Sequence, residues 1–485
     1  MTRKRIHENL RKLFNPTSVA VIGASENPDK LGYHVMKSLT KGGFDGKIIP
    51  VNPGSKRVFG FDAFPSIMGF PGAIDLSIIV LPAKLVPSIF EECDKKGVKG
   101  IVLITAGFKE IDDPSGGEQQ SVLAHMANHS GIPVIGPNTF GLINLHKNLN
   151  ASFTPEFSLS EKGGVTLVSQ SGGISHLLSF MAMREGLGFS KIVGLGNRLN
   201  VDFADMVPYL MEDPYTRVIM LYLEGLDDPR RLMESVKAYR NEKPILAYKT
   251  GSSRTGNQSS LAHTGSMAGK QDIYKGALRQ SGIFCADSTQ TLLDLAHALS
   301  ICGLPEGPRI AVLTGQAGPG MAASDVCESE GLKIIPFQSQ TQRTINELLP
   351  PLALRTNPVD MGPAWYNSGA IQGIVKAVME DRNVDGIILL MMFASANRDA
   401  VSSLSVLLRE WNQKKPVIAC LISPPGIWDG QVVSLEKSGA LVNLPTPERA
   451  AKIMASLWQY RKILRKGLEN KDLGAYGSDY RQSLP

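Results

Sequence analysis

The chain has 485 residues, 43% of them apolar and 20% charged, with a formal net charge of +6. That is the composition of a globular protein of about three domains, with no run of the ~18 apolar residues needed to cross a membrane. The charge is modest and not gathered into a basic run, so no nucleic-acid partner is implied.

The opening MTRKRIHENLRKLF lacks an apolar segment and a small-residue cleavage site, and reads as a short amphipathic helix ahead of the first strand. Strands are predicted at 18–23 (SVAVIG), 47–52, 76–82, 100–107 and 132–137, separated by helical stretches such as 32–43 and 84–97. Near-continuous Val/Ile runs mark strands buried on both faces of a parallel sheet. Residues 1–148 therefore read as a doubly wound, Rossmann-like domain. Residues 150–164 are rich in turn formers and read as a linker. A second domain, 149–303, carries strands within 164–173, 189–197, 217–225 and 243–251. GLPEGPR (303–309) marks the next boundary. A third domain, 304–463, carries strands within 309–320, 332–337, 386–392, 415–422 and 440–454, and 464–485 reads as a polar tail. The fold class is α/β, with three Rossmann-like or flavodoxin-like parallel-sheet domains. Cys93, Cys285, Cys302, Cys327 and Cys420 form no CxxC pair and no metal spacing. They read as apolar filler in a reducing compartment, the cytoplasm, and no metal site is expected.

In the first domain, strand SVAVIG runs into Gly23-Ala24-Ser25, and Gly32, just after Lys30, opens the next helix. Glycine lets the backbone approach a phosphate there, and a helix N-terminus favours negative charge. The second strand ends in Asn52-Pro53, where a dinucleotide site for NAD usually carries Asp or Glu on the ribose. Further strand ends at Leu81-Pro82, Ala106-Gly107 and GPNTFG, which holds Asn138, would line one crevice at the carboxyl edge of the sheet. VAVIGAS, PVNP, VLPA, ITAGF and GPNTFG together resemble the CoA-binding domain of the succinyl-CoA synthetase α subunit and of ADP-forming acetyl-CoA synthetases.

In the second domain, TGSSRTGNQSSLAHTGSMAG (250–269) has the Gly/Ser/Thr content of a loop, and carries His263, whose imidazole is a good phosphoryl acceptor near neutral pH. Ser169-Gln170-Ser171-Gly172-Gly173 join a strand to a helix and offer an anion site. Glu224 ends the strand MLYLEGL, where a carboxylate can fix the tautomer of a histidine and stabilise its cation. AHTGSMAG resembles the phosphohistidine loop of ADP-forming acyl-CoA synthetases, with His263 at the phosphorylated position. SQSGG is similar to a phosphate-binding helix start of that family, and Glu224 matches its histidine-orienting glutamate. His176 and His297 match no motif.

The third domain repeats the plan in LTGQAGPG, with Thr314, Gly315, Gln316, Gly318 and Gly320. This stretch and TNPVDMGP (356–363) resemble the family's third domain, which supplies a second phosphate-binding helix. TGQAGPG departs from the family's TGGPG-like run, which leaves its backbone donors open.

The resemblance implies an α subunit that interconverts acyl-CoA, ADP and phosphate with carboxylate, CoA and ATP. CoA would bind this chain. No ATP-grasp segment is found in the sequence, so ADP or ATP and Mg2+ would sit mainly on a separate ATP-grasp β subunit, in an α2β2 assembly. Two other classes stay open on the residues alone: a CoA-binding regulator without catalysis, and an NAD-dependent dehydrogenase.

Overall fold

The computed structural model describes residues 2–239, 242–251, 271–351, 354–411 and 415–479. The chain divides into two compact units, Met1–Leu292 and Leu293–Pro485.

The first unit opens with α1 (Thr2–Phe14). Ile6, Leu10, Leu13 and Phe14 recur at helical spacing and are buried, so the basic opening is anchored through its apolar stripe. Phe14 stacks on Tyr209, with ring centroids 4.7 Å apart. Then come β1 (Ser18–Ile22), α2 (Leu31–Lys41), β2 (Lys47–Val51), a small hairpin of β3 (Arg57–Val58) and β4 (Phe61–Asp62), β5 (Leu76–Ile79), α3 (Val86–Lys96), β6 (Gly100–Leu103), α4 (Pro114–Ser130) and β7 (Val134–Ile135). They build a parallel sheet of order β2-β1-β5-β6-β7. The order reverses at β1, which places a crevice beyond the carboxyl ends of β1 and β5.

The second sheet is built from β8 (Gly141–Asn144), β9 (Leu149–Ser152), β10 (Lys162–Ser169), α5 (Gly172–Arg184), β11 (Phe189–Gly194), α6 (Phe203–Glu212), β12 (Val218–Leu223), α7 (Pro229–Ala238), β13 (Ile245–Lys249), α8 (Gln271–Ser281) and β14 (Phe284–Cys285). Its order is β14-β13-β12-β10-β11-β8-β9. Two features differ from the sequence reading. β8 and β9 form an antiparallel hairpin, and β8 runs antiparallel to β11 on a sheet read as wholly parallel. The chain also enters this sheet at Gly141, ahead of the break read at residue 148. Buried asparagines disguise the hairpin: Asn144 Nδ2 donates to Phe14 O at 2.9 Å and Asn150 Nδ2 to Thr154 O at 3.0 Å. Polar side chains that find partners inside a sheet break the apolar run by which strands are recognised. Val21, Leu76 and Ile135 of the first sheet share one core with Val168, Val193 and Leu221 of the second.

The second unit follows α9 (Thr289–Ile301), within which the division falls. It comprises β15 (Arg309–Thr314), α10 (Ala317–Ser329), β16 (Lys333–Ile334), α11 (Ser339–Leu348), β17 (Val359–Asp360), α12 (Ser368–Glu380), β18 (Gly386–Met392), α13 (Ala400–Trp411), β19 (Val417–Ile422), α14 (Asp429–Lys437), β20 (Val442–Asn443) and α15 (Pro447–Asp479). The sheet order is β16-β15-β18-β19-β20, with β17 beside the end of β15. α15 runs on through most of the stretch read as a tail. A forked ion pair from Arg309 to Asp385, at 2.8 and 2.7 Å, fixes the start of β15. Another from Arg449 to Asp294, at 2.9 and 2.6 Å, ties α15 to α9. The five cysteines are free and buried.

His297 and Glu436 face each other in this unit, Nε2 to Oε1 3.8 Å. Burial pushes the Glu436 carboxyl up to about 7 from 4.5, and the His297 imidazole down to about 4 from 6.5. The folded chain therefore keeps a Glu436 proton between pH 4.5 and 7 that the unfolded chain has lost, so this term weakens as pH rises. Between pH 6.5 and 4 the unfolded chain gains a His297 proton that the folded chain refuses, so that term weakens as pH falls. The two slopes oppose each other. Glu436→Gln is expected to expose the histidine slope, a loss of up to about 3 kcal/mol between pH 6.5 and 4, and His297→Gln the reverse slope. Thermal unfolding of both variants across pH checks the signs; a flat profile in either would refute the assignment.

Candidate functional site

A crevice of about 740 Å3 opens at the reversal point of the first sheet. Gly23, Ala24 and Ser25 after β1, Lys30 and Gly32 at the start of α2, Asn52 and Pro53 after β2, Leu81 and Pro82 after β5, and Ala106 after β6 all line it. Its shape depends on two interlocked glycines. Gly23 has φ +98°, and a Cβ on Gly32 would stand 1.9 Å from Gly23 O. Only glycine lets α2 begin this close to the strand end. Lys30 is the N-cap of α2 and makes no side-chain cap bond, so the first N–H groups of α2 are left for a ligand. Asn52 is engaged in the turn itself: its Nδ2 donates to Ala24 O at 2.8 Å and its Oδ1 accepts from Gly54 N at 2.7 Å. The crevice thus has an amide where a ribose-binding carboxylate would stand.

Gly107 and Asn138 do not line this crevice. Gly107 N donates to Glu110 Oε1 at 2.5 Å. Asn138, at φ 56°, donates its N–H to Thr105 O at 2.9 Å, and its Nδ2 lies 3.5 Å from Asn197 Oδ1 of the second sheet. Asn138 serves the joint between the two sheets directly, and Gly107 through Glu110, whose Oε2 accepts from Asn197 Nδ2 at 2.5 Å. Conversely, Pro65, Ser66, Ile67, Leu85, Ile89 and Glu92 line the crevice and escaped the sequence reading. They come from the segment after β4 and from the turn and helix after β5, which carry no motif.

At the end of β10, Ser169 Oγ donates to Ser171 O at 2.9 Å and accepts from Ser171 N at 3.1 Å. Ser169 is wholly enclosed, so it shapes the turn and presents no hydroxyl to a ligand. Ser171 caps α5 by accepting from Ile174 N at 3.4 Å. Gly172 and Gly173, with nothing closer than 3.8 Å to an added Cβ, present the open start of the helix. His176 braces that start, its Nδ1 2.7 Å from Gly172 O and its Nε2 2.9 Å from Thr154 Oγ1. The carbonyl only accepts, so the proton sits on Nδ1 and Nε2 accepts from the threonine. The i to i+4 spacing from Gly172 was the one sequence signal for this role.

Glu224 stands at the exit of β12 beside this turn. Gln170, read as a phosphate ligand, turns its Oε1 to Glu224 N at 2.6 Å and Gly225 N at 3.1 Å. Lys249, the last residue of β13, reaches the same peptide from the other side, donating from Nζ to Glu224 O at 2.8 Å. His263 lies outside the described residues.

The second unit repeats the turn. Thr314 Oγ1 donates to Gln316 O at 2.5 Å and accepts from Gln316 N at 3.2 Å, as Ser169 does with Ser171. Gly315 N donates to Leu390 O at 2.8 Å, as Gln170 N donates to Tyr222 O at 3.3 Å. Gln316 is therefore the N-cap of α10, in the place of Ser171, although it makes no side-chain cap bond. Its side chain instead holds Met392, donating from Nε2 to Met392 O at 3.2 Å. Thr314 and Gly315 are buried, and the exposed start of the helix is Ala317-Gly318. Gly320 is needed because a Cβ there would meet Thr314 Cγ2 at 2.7 Å. Met392 occupies the place that Glu224 holds in the second sheet; the carboxylate beside this turn comes instead from β17, where Asp360 lies in register with Thr314 and accepts from Gly362 N at 2.9 Å. Among the described residues, no group of three His, Cys, Asp or Glu is placed to hold a metal, and no helix is long and apolar enough to cross a membrane.

Known proteins share this architecture. The CoA binding domain family matches residues 17–144, and the succinyl-CoA ligase like flavodoxin domain family matches residues 162–299. The chain is 37% identical over 454 residues to the acetate–CoA ligase [ADP-forming] II subunit alpha of Pyrococcus furiosus, covering 92% of this chain and 96% of that one. It is 34% identical over 468 residues to the I subunit alpha of the same organism, covering 95% and 100%. The dinucleotide forming acetyl-coenzyme A synthetase 1 of Ca. Korarchaeum cryptofilum, solved with phosphate and ADP, superposes with a TM-score of 0.87 at 31% identity, covering 95% of this chain and 98% of that one.

Proposed function

Because the chain belongs to the ADP-forming acyl-CoA ligases, as one of their α subunits, we propose that its first-sheet crevice binds CoA and that His263 carries a phosphoryl group. The reading rests above all on the strand ends of the second sheet, where an open Gly172-Gly173 helix start and Glu224 are held together by Gln170.

Phosphate oxygen attacks the thioester carbonyl; the C–S bond breaks, and CoA leaves with a proton as acyl phosphate forms. An imidazole nitrogen of His263 then attacks phosphorus, releasing the carboxylate and leaving phosphohistidine. Helix N–H groups at Gly172 and Gly173 neutralise the transferring group. Glu224 accepts from the second ring nitrogen, which fixes the tautomer and favours the cation formed on transfer. ADP finally takes the phosphoryl group from His263, giving ATP and the free imidazole. The ADP, with its Mg2+, is held by a separate ATP-grasp β subunit in an α2β2 assembly working in the cytoplasm.

The purified chain is expected to bind CoA and not NAD, and to form no ATP from acetyl-CoA, phosphate and ADP until an ATP-grasp partner is added. Calorimetry against both ligands and a coupled ATP assay test this. ATP formed by the single chain, or tight NAD binding without CoA binding, would overturn the reading.

A further inference from the structure

We propose that Lys249 is a positioning residue of the phosphoryl-transfer site, its ammonium fixing the peptide that carries Glu224. The inference rests on the reading of Glu224 as the partner of His263.

Lys249 closes β13 and is only 5% exposed. Its Nζ donates to Glu224 O at 2.8 Å and to Thr250 O at 2.5 Å, and lies 5.3 Å from the centre of the Tyr274 ring. The ammonium thus bridges the exits of two neighbouring strands, β12 and β13. Glu224 N donates to Gln170 Oε1 from the opposite side. Both backbone groups of Glu224 are therefore held, one by the turn that opens α5 and one by Lys249. Held at both ends, the backbone that carries Glu224 has little freedom to shift relative to the start of α5.

A neutral side chain could supply a donor to a carbonyl, and burying a lysine has a cost. Burial pulls the Lys249 ammonium down to about 8, and the nearby Glu224 charge opposes that pull. The charge is retained where it is useful. It stands beside the Glu224 charge and at strand ends that receive a phosphoryl anion. In the second unit Met392 takes the place of Glu224; Gln316 holds both its N–H and its C=O, and the second donor to that carbonyl is a neutral amide, Asn397 Nδ2 at 3.0 Å. The charged donor is found where the held residue is a carboxylate, and the neutral donor Asn397 where it is Met392.

The test uses the full chain with its ATP-grasp partner, labelled ATP and Mg2+, and follows base-stable label. Lys249→Met is expected to slow labelling roughly tenfold or more, with CoA affinity unchanged. In a Glu224→Gln background the same substitution should add less than about twofold, because a residue that acts through Glu224 has little left to lose. Lys249→Gln, which keeps one donor without the charge, serves if the methionine variant fails to fold. Wild-type labelling by either folded variant, or losses that simply multiply in the double variant, would overturn the proposal. His263→Ala separates the two readings. Label surviving in that variant defeats the phosphohistidine assignment, whereas loss of label there alongside a fully active Lys249→Met defeats only the role of Lys249.

Discussion

His263→Ala is expected to abolish base-stable phosphoenzyme while leaving CoA affinity essentially unchanged. The two effects separate because the proposed carrier belongs to the 250–269 segment after β13, whereas the crevice is formed by strand ends of the first sheet. Sites without shared partners act almost independently. Glu224→Gln should be milder. It keeps the shape and one accepting oxygen, and its backbone remains held by Gln170 and Lys249, but the charge that favours an imidazolium is gone. Charge-assisted hydrogen bonds contribute about 1.5–3 kcal/mol, so the phosphorylation rate should fall roughly ten- to hundredfold. The measurement is incubation with the β subunit, labelled ATP and Mg2+, followed by a base quench, since phosphohistidine survives base and is lost in acid. Label retained by His263→Ala would place the carrier on another residue.

Gly32→Ala should weaken CoA binding roughly ten- to hundredfold. The new Cβ would stand 1.9 Å from Gly23 O and 2.9 Å from Gly23 C. That obstacle is backbone, so no side chain can move aside to admit it. Gly23 cannot retreat either, because its own position is closed from behind: a Cβ built there would stand 2.8 Å from Val80 O. The first turn of α2 must lift from the strand end and take its N–H groups away from the crevice. Overpacking of this kind costs about 1–3 kcal/mol, which corresponds to the stated loss of affinity. Gly276→Ala is the control, since an added Cβ there meets nothing within 4 Å, and alanine is the better helix former. Calorimetry with CoA on both variants decides. Unchanged affinity in Gly32→Ala would show that CoA binds elsewhere.

Strand runs were legible because buried parallel strands need apolar side chains on both faces. VAVI, IVL, IMLYL and IILLMM each fall on an observed strand. Glycines at strand exits were legible for a related reason, since no other residue permits the close approaches at Gly23 and Gly32. The β8–β9 hairpin was not legible, because Asn144 and Asn150 donate their amide N–H groups to partners more than a hundred residues away or in the next turn. The crevice lining from Pro65 to Glu92 has no local signature either.

What the sequence determined by itself is what local chemistry dictates: the α/β class, the positions of the parallel strands, the glycine turns and the kind of residue offered at each strand end. Tertiary structure decided which of those residues face a ligand and which hold the turn. Ser169 and Thr314 read as ligands yet are enclosed, because a hydroxyl at a strand end can bond the backbone two residues on as readily as an anion. Gln170 and Lys249 act on the Glu224 peptide from strands far apart in sequence. Such pairings depend on strand order, and strand order is fixed by how the sheets bury their apolar faces against the flanking helices, which no single segment encodes.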